Sequence, residues 1–372
     1  MLTNNCVGGR LLGVWRRLVP GVFALGWMAG QGLWGQGCIA VRGTGSCILG
    51  LHEYGGYLGP GDWQAGVAYR WIRSDRHFRG DHEEPQRQAL GTEVINDQHF
   101  FDLSALYAPV ARVNLGLTLP FVYSTRSSLY EHKGNASGER YTTTAGGLAD
   151  LRAAAYVWLW DPAPMPHGNV SVGLGAKFPT GDYGATDTFQ TNAGPVERPV
   201  DQSIQPGDGG WGMTLEITAF RELWSHASAY AQASYLFNPG NFNTTLTNRR
   251  NPYEEFNSIT DQYSARAGLS YFIVPPWGLS LSLGGRIDGV PVEDAIGDSD
   301  GFRRPGYAVY VEPNLQLARG PWLFSLSAPV AVYRNREQSL ADMRWGADTG
   351  RDIHGDAAFA DFLILANISR QF

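Results

Sequence analysis

Apolar and polar residues alternate with a period of two in about twelve segments, each roughly ten residues long. In the segment NVSVGLGAKF, Val170, Val172 and Leu174 share one face, and Ser171 and Gly173 share the other. Successive side chains of a strand point to opposite faces, so each segment predicts a strand with one apolar and one polar face. About ten residues is also the length that a tilted strand needs to cross the hydrocarbon core of a bilayer.

The connections between these segments alternate between short and long. The predicted strands are 63–72, 98–107, 112–121, 147–159, 169–178, 211–220, 226–237, 261–272, 278–287, 307–317, 322–333 and a last strand that ends at Phe372. The short connections are APVA, DPAPMPHG, RELWS, VPPW and ARG, and the long ones are about 74–97, 123–145, 179–209, 238–259, 288–306 and 334–356. This alternation is typical of a transmembrane antiparallel β-barrel with short periplasmic turns and long extracellular loops. The alternative, a soluble all-β protein whose apolar faces form a core, leaves the alternation unexplained.

If the apolar faces meet lipid, the opposite faces carry charge into the lumen. An arginine or lysine on the lipid face would cost about 2–4 kcal/mol at the midplane of the bilayer, and the strand centres avoid this arrangement. The acidic Asp361 of the last strand falls on the same inward register. The predicted channel lining is Arg70, Asp102, Arg112, Asp150, Arg152, Lys177, Glu216, Arg266, Arg286 and Glu312.

The last strand, within LILANISRQF, has the same two faces. Its predicted lipid face is Phe362, Ile364, Ala366 and Ile368, and its predicted lumen face includes Asn367 and Ser369. A terminal aromatic residue after such a strand matches the signal that the barrel-insertion machinery reads in outer-membrane proteins. We therefore predict that this machinery is a partner through Phe372.

The amino-terminal residues predict secretion. Arg10, Arg16 and Arg17 precede the apolar stretch LVPGVFALGWMAG, which is the arrangement of a signal peptide. We assign residues 1–37 to this leader, with cleavage after Gly32 or Gly37, residues 38–62 to a periplasmic lead-in or partial plug, and residues 63–372 to the barrel. Cleavage of the lipoprotein type before Cys38 stays open as an alternative.

Composition narrows the classes further. After the leader, Cys38 and Cys47 remain, and in an oxidising compartment they predict a disulfide. The net charge of −6 argues against nucleic acid as a partner. Downstream of the leader no run of 18 apolar residues occurs, which excludes an α-helical membrane protein. The 47 glycines and 12% aromatic residues suit an all-β chain with many turns.

Three short motifs resemble a known family. The stretches GLADL (from Gly147), KFPTGD (from Lys177) and PGDG (from Pro206) are similar to the GLGDL, K-x-PTGD and PGDG patterns of the outer-membrane transporters grouped as the meta-pathway phenol-degradation family. Ala149 stands where that pattern has its second glycine. The resemblance covers about residues 145–235, and it implies a barrel that passes aromatic or other hydrophobic molecules. Independently of it, we expect Lys177 and Asp182 to form a charged rim or a structural ion pair at the turn.

Other chemistries have weaker support in the sequence. An outer-membrane lipid hydrolase would need a serine beside His99, His226 or His354, and no Gly-x-Ser-x-Gly setting occurs. The acidic loop EDAIGDSDGF lacks the full pattern of a calcium loop, and a cluster from His77 to Glu84 offers histidine and carboxylate groups to a transition metal. We predict no catalytic residues, no metal and no cofactor.

The sequence thus predicts an outer-membrane channel of about twelve strands in a Gram-negative-type bacterium. Its function would be passive uptake of small hydrophobic or aromatic molecules, and its partners would be outer-membrane lipids and that solute. The alternatives are a closed structural or adhesion barrel that acts through its loops and the lipid hydrolase.

Overall fold

A computed structural model describes residues 57–129 and 138–372. The described chain forms twelve long antiparallel wall strands, two of which are interrupted. They are β1 Trp63–Arg79, β2 Ile95–Val110, β3 Val113–Ser128, β4 Tyr141–Leu148 and Leu151–Trp158, β5 Gly168–Phe178, β6 Gly212–Trp224, β7 Ala227–Phe237, β8 Gln262–Val274, β9 Leu279–Val290, β10 Gly306–Arg319, β11 Trp322–Ser327 and Val330–Arg336, and β12 Ala357–Gln371. The predicted leader, the predicted disulfide between Cys38 and Cys47, and residues 38–56 of the predicted lead-in lie outside the described residues.

The sheet closes on itself. Each wall strand pairs with its neighbours in sequence, and β12 pairs with β1 in a register that places Val67 opposite Ile368. At the seam, the backbone of Trp63 and that of Phe372 exchange hydrogen bonds of 3.2 and 2.8 Å between nitrogen and oxygen. Closure satisfies the backbone groups that an open edge would leave unpaired in lipid. The predicted fold, a transmembrane antiparallel barrel of twelve strands, is confirmed.

The outer surface is apolar and exposed. Leu174 is 66% exposed and Leu283 is 60% exposed, and Leu115, Leu117 and Leu269 are also exposed. These residues come from the faces that the alternation marks as apolar, so the apolar faces do not form the core of a soluble sandwich. The outward face of β12 includes Phe362 and Ile368, whereas Ser369 is buried on the inside.

The loops on one rim are long and partly structured. We name them L1 (80–94), L2 (129–140), L3 (179–211), L4 (238–261), L5 (291–305) and L6 (337–356). L1 contains the short helix α1 Gln86–Ala89, and L6 contains α2 Leu340–Thr349, whose first turn is closed by a capping box between Ser339 and Asp342. L3 carries the hairpin Thr186–Thr191 and Gly194–Pro199, and L4 pairs Phe242–Leu246 with Phe256–Ser258. The opposite rim has the short turns and the strand ends Trp63 and Gln371, which makes it the periplasmic side.

The strand boundaries differ from the prediction in two ways. β1, β2 and β3 are 17, 16 and 16 residues long, because they continue beyond the apolar band into segments where polar residues lie on both faces. β4 and β11 were predicted as continuous, but β4 breaks at Ala149–Asp150 and β11 breaks at Ala328–Pro329. Pro329 has no N–H to donate to a sheet, and its carbonyl accepts a hydrogen bond from Leu363 at 2.9 Å.

Among the helices of the described residues, none has the length and apolar character needed to cross a membrane.

Candidate functional site in the barrel lumen

A belt of charged residues lines one side of the lumen. Arg266 on β8 donates from Nη1 to Oε1 of Glu312 on β10 at 3.1 Å, and Ser327 on β11 donates to the same oxygen at 2.8 Å. Arg286 on β9 donates from Nε to Oδ2 of Asp288 at 2.8 Å and lies 3.9 Å from Glu312. Glu312 is only 1% exposed, so these partners replace the solvent around its carboxylate.

Four further predicted residues face the lumen on the strands opposite. Arg70 on β1 is buried, and its guanidinium lies 4.3 Å from the ring centroid of Phe100, a cation–π contact. Asp102 follows on the inward register of β2, and Glu216 on β6 is buried with the Tyr156 hydroxyl 3.4 Å from its Oε2. Arg152 lies on β4 opposite Lys177 of β5. Together with the belt, the lumen holds about as many basic as acidic groups.

The three motifs that carry the family resemblance meet at the break in β4. Thr180 Oγ1 donates to the carbonyl of Ala149 at 2.8 Å and accepts from the amide of Leu151 at 2.9 Å. The carboxylate of Asp150 accepts from the amides of Gly181 at 3.0 Å and Asp208 at 3.3 Å. A side chain on Gly207 would lie 2.4 Å from the Gly181 carbonyl oxygen, which explains the glycine at this close approach.

Lys177 belongs to this junction. Its ammonium contacts the carboxylate of Asp208 and lies 3.6 Å from that of Asp150, and the lysine is almost fully buried. Asp182, which the sequence suggested as its partner, instead accepts from the amide of Gly184 at 2.8 Å within L3. The ion pair therefore joins L3 to the wall and does not form a rim at the turn.

Arg112 lies apart from the other predicted lining residues. It sits in the turn between β2 and β3 at the periplasmic rim, because β2 runs to Val110 and β3 starts only at Val113. Its guanidinium donates to the carbonyls of Trp158 at 3.0 Å and Leu159 at 2.7 Å. It thus binds the neighbouring turn. Asp361, also expected inside, is half exposed at a bulge of β12 and pairs with Arg76 and Arg334.

Above the charged belt, the inside of the wall carries a cluster of apolar side chains. We call it the apolar lumen face, and it consists of Ile72, Phe78, Phe100, Val122, Ala308, Tyr310, Ala357, Phe359, Ala360 and Leu363. Phe100 is 6% exposed although its neighbour Phe101 is 44% exposed on the lipid side. This cluster was not predicted from the sequence. The sequence contained one indication of it: Ile72 and Val122 are apolar residues on the inward register of strands whose other inward residues are polar.

The extracellular end of the lumen is covered by ordered loops. In L3, the carbonyl of Ser203 accepts from Gln98 Nε2 of β2 at 2.7 Å. Asp201 of L3 lies 2.6 Å from Arg304 of L5, 3.4 Å from Arg249 of L4 and 3.7 Å from Arg126 of β3. We call these four residues the cap hub. Although burial opposes it, the nearby guanidiniums of Arg126, Arg304 and Arg249 hold the pKa of Asp201 well below its usual range.

The weaker candidates of the sequence analysis are used in local contacts. Asp294 of the acidic loop pairs with Arg303 at 3.0 Å and accepts from the amide of Asp261 at 2.8 Å. In the cluster around residue 80, His77 is buried whereas His82 is exposed beside Asp81, so their rings do not converge. Within residues 57–129 and 138–372, no three His, Cys, Asp or Glu side chains form a group that could hold a metal ion.

The histidines considered for a hydrolase also have other partners. His99 on β2 contacts the Tyr69 hydroxyl at 2.8 Å and Asp97 at 3.1 Å on the outside of the wall. His226 is the exception, because Ser225 Oγ lies 3.0 Å from its Nδ1, but this is an exposed contact between sequence neighbours in a periplasmic turn. His354 in L6 donates to the carbonyl of Arg336 at 2.8 Å.

Comparison with known proteins gives a fold and no family. No family model matches the chain, and no curated protein matches it. Among solved structures, the chain is similar to the COG4313 outer membrane channel from Pseudomonas putida F1, with a TM-score of 0.54 and 14% identity over 85% of this chain and 97% of that one. The P. putida toluene transporter TodX (TM-score 0.40, 10% identity, 91% and 98% covered) and a Pseudomonas aeruginosa FadL homologue (TM-score 0.37, 9% identity, 87% and 93% covered) are too distant to support an argument. The first likeness and the closed barrel with its apolar exterior identify the chain as an outer-membrane β-barrel, located in the cell outer membrane.

Proposed function

We propose that this protein is an outer-membrane channel for passive uptake of small hydrophobic or aromatic molecules, as the resemblance to the meta-pathway phenol-degradation family also implies. The observation that carries the proposal is the apolar lumen face. A barrel that passes only hydrophilic solutes has a polar interior, whereas here Phe100, Val122, Tyr310 and Leu363 form a packed apolar cluster on the inner side of the wall.

A solute with one aromatic ring that inserted among these side chains would bind only transiently. A solute with one aromatic ring that buries about 150 Å² of apolar surface gains at most about 4 kcal/mol. That corresponds to a dissociation constant of about 1 mM, before the cost of immobilising the solute is included. Such weak binding favours entry into the lumen and still permits release, as conduction requires.

The charged lining residues would then contact the solute where the lumen is polar. Two of the predicted lining residues lie at the ends of the path, Asp150 at the junction with L3 and Arg112 at the periplasmic rim. The other residues that we propose as lining are Arg70, Asp102, Arg152, Lys177, Glu216, Arg266, Arg286 and Glu312. Basic residues outnumber acidic ones in this set, but Lys177 pairs with Asp208 and Asp150, Arg266 with Glu312 and Arg286 with Asp288, so much of the positive charge is compensated. An uncharged solute passes such a lining without forming or breaking an ion pair.

Uptake of naphthalene tests the proposal. Cells with an intact lipopolysaccharide layer and no hydrophobic channel of their own should take up labelled naphthalene several-fold faster when they express this chain. Phe100→Ala removes a ring from the apolar lumen face and should slow uptake about fivefold, since a ring contact contributes about 1 kcal/mol. Phe101→Ala is the matched control, because it makes the same change at the next residue, on the lipid face.

A closed structural barrel is the second candidate, and the ordered cap favours it. Equal naphthalene uptake in expressing and non-expressing cells, with the chain folded as judged by heat-modifiable migration on gels, would reject the channel and support the closed barrel. Hydrolysis of phospholipid by the purified protein would instead support the lipid hydrolase.

A further inference from the structure

A tight turn precedes β1 at the periplasmic rim. Residues 57–62 are the described part of the predicted lead-in, and we call them the plug segment. The amide of Asp62 donates to the carbonyl of Gly59 at 3.0 Å across Pro60 and Gly61. Gly61 has a φ of 91°, and a proline followed by a glycine with positive φ is the arrangement of a type II turn. The chain therefore reverses its direction immediately before the first wall strand.

Backbone hydrogen bonds fix this turn to the wall. The amide of Gly61 donates to the carbonyl of Ala108 on β2 at 2.7 Å, and the amide of Ala108 donates to the carbonyl of Asp62 at 3.0 Å. The carboxylate of Asp62 also accepts from the amide of Gly59 at 2.8 Å. The direction in which the rest of the plug segment leaves the turn is therefore defined.

Leu58 packs against side chains that point into the lumen. Leu106 on β2 and Tyr156 on β4 share the inward register of the charged lining residues on the same strands. Leu58 is 2% exposed and forms a buried cluster with Leu106, against which Tyr156 packs. Leu58 therefore lies inside the barrel, at the periplasmic end of the lumen.

Tyr57 reaches further across this end of the lumen. Its hydroxyl donates to the carbonyl of Met165, in the turn between β4 and β5, at 2.9 Å. Its ring packs edge to face on Trp158 of β4, with ring centroids 5.0 Å apart, and its centroid lies 6.1 Å from that of Phe220 on β6. The contacts of the plug segment thus extend from β2 to β6 around the inside of the barrel.

The burial of Trp158 indicates that this end of the lumen is covered. Trp158 is only 1% exposed, and Phe220 is buried as well, although both lie on the inward register near the periplasmic ends of their strands. In an open, water-filled mouth, rings at these positions would contact solvent. Here Tyr57 packs on both rings in place of water.

We propose that the plug segment closes the periplasmic end of the lumen and limits flow through it. Apolar side chains at a constriction stop ions by excluding water, and Tyr57 and Leu58 lie among the apolar residues Leu106, Trp158 and Phe220. Both side chains are held by packing and side-chain hydrogen bonding and are not part of the sheet. Their displacement would open this end without breaking a backbone pair of the wall.

Single-channel ion conductance of the full chain in planar bilayers tests the plug. Tyr57→Ala/Leu58→Ala removes both side chains and should raise the conductance several-fold. A closed cap would hide this effect, so the same pair is also introduced into Asp201→Asn, which removes the carboxylate at the centre of the cap hub. Trp63→Ala/Tyr107→Ala is the matched control, because it removes two rings that stack 4.5 Å apart at the same rim on the lipid side. The control should leave the conductance unchanged.

The proposal is overturned if the conductance of Tyr57→Ala/Leu58→Ala equals that of its parent in both backgrounds, including no current in either. An equal rise in the control would also overturn it. Heat-modifiable migration on gels reports folding. If the double variant does not fold, Tyr57→Phe decides, because it keeps the ring and removes the hydroxyl that donates to Met165. It should increase the fraction of time that the channel is open, and an unchanged open fraction would reject the plug.

The plug and the proposed solute fail separately. Ion conductance does not depend on whether the solute is hydrophobic. A wild-type chain that carries a plug-limited current but takes up no naphthalene would reject the proposed uptake and leave the plug in place.

Discussion

The cap hub offers a direct test of how the extracellular end is held. Asp201→Asn removes the carboxylate that Arg126, Arg249 and Arg304 share and leaves the shape of the side chain nearly unchanged. Arg126 is fully buried and Arg304 is 3% exposed at the side chain, and Nη2 of Arg304 donates to both oxygens of Asp201, at 2.8 and 2.6 Å. Three guanidiniums would then remain close together without the carboxylate that they share.

The size of the expected destabilisation follows from the burial of these arginines. Breaking a buried ion pair by removal of one partner costs about 3–5 kcal/mol, because the remaining charge is uncompensated. Burial already lowers the pKa of Arg304 to about 10 even with Asp201 present. We therefore expect the free energy of local opening of L3 around residues 199–206 to fall by about 3 kcal/mol, which corresponds to a more than hundredfold rise in its opening equilibrium.

Hydrogen exchange measured peptide by peptide distinguishes this from loss of the barrel. In Asp201→Asn, exchange should rise in L3 and in the part of L5 around Arg304, whereas the wall strands β6 to β9 keep their protection. Asp182→Asn is the matched control in L3, because its carboxylate accepts only from an exposed amide. L3 exchange that is equal in the two variants would refute the idea that the hub holds the cap.

The sign of the pH dependence gives a second check. The folded-state pKa of Asp201 is lowered, so its contribution is complete above the unfolded value of about 3.9 and is lost only as the pH falls through the lowered value. Between pH 7.5 and 5.5 the contribution of Asp201 should therefore be constant. Loosening of L3 within that range in the wild type would contradict this account of the hub.

Two further predictions concern L4 and the carboxyl terminus. Burial raises the pKa of Glu254 in L4 to about 7 from 4.5. The stability of L4 is therefore highest below the unfolded-state pKa of 4.5. It falls, by at most about 3 kcal/mol, as the pH rises to 7 and above. Glu254→Gln should remove this dependence in exchange measurements on L4, and an unchanged pH slope would exclude Glu254 as its source. Phe372→Ala removes the ring but keeps both backbone hydrogen bonds to Trp63. If the insertion machinery recognises the ring, the heat-modifiable, folded fraction of the protein in cells should fall. An unchanged fraction would reject recognition through Phe372.

The sequence predicted the wall well because the bilayer imposes a simple rule on it. Each strand must show an apolar face to lipid and pair its whole backbone, and this produces the alternation seen in segments such as NVSVGLGAKF. This requirement no longer applies where the strands leave the bilayer. Above Ile72 the strand β1 continues with Arg73, Asp75 and Arg76, which carry no apolar signal, and the predicted loop therefore began too early.

The interior was less predictable, because it depends on which strands meet around the barrel. A single inward residue such as Ile72 or Phe100 has little meaning alone, and only closure brings it beside Leu363 and Tyr310. The cap hub is an extreme case, since Arg304 and Asp201 are 103 residues apart in sequence. The partners of Lys177 could not be predicted for the same reason. Its nearest acidic residue in sequence is Asp182, whereas its partners in space are Asp208 and Asp150.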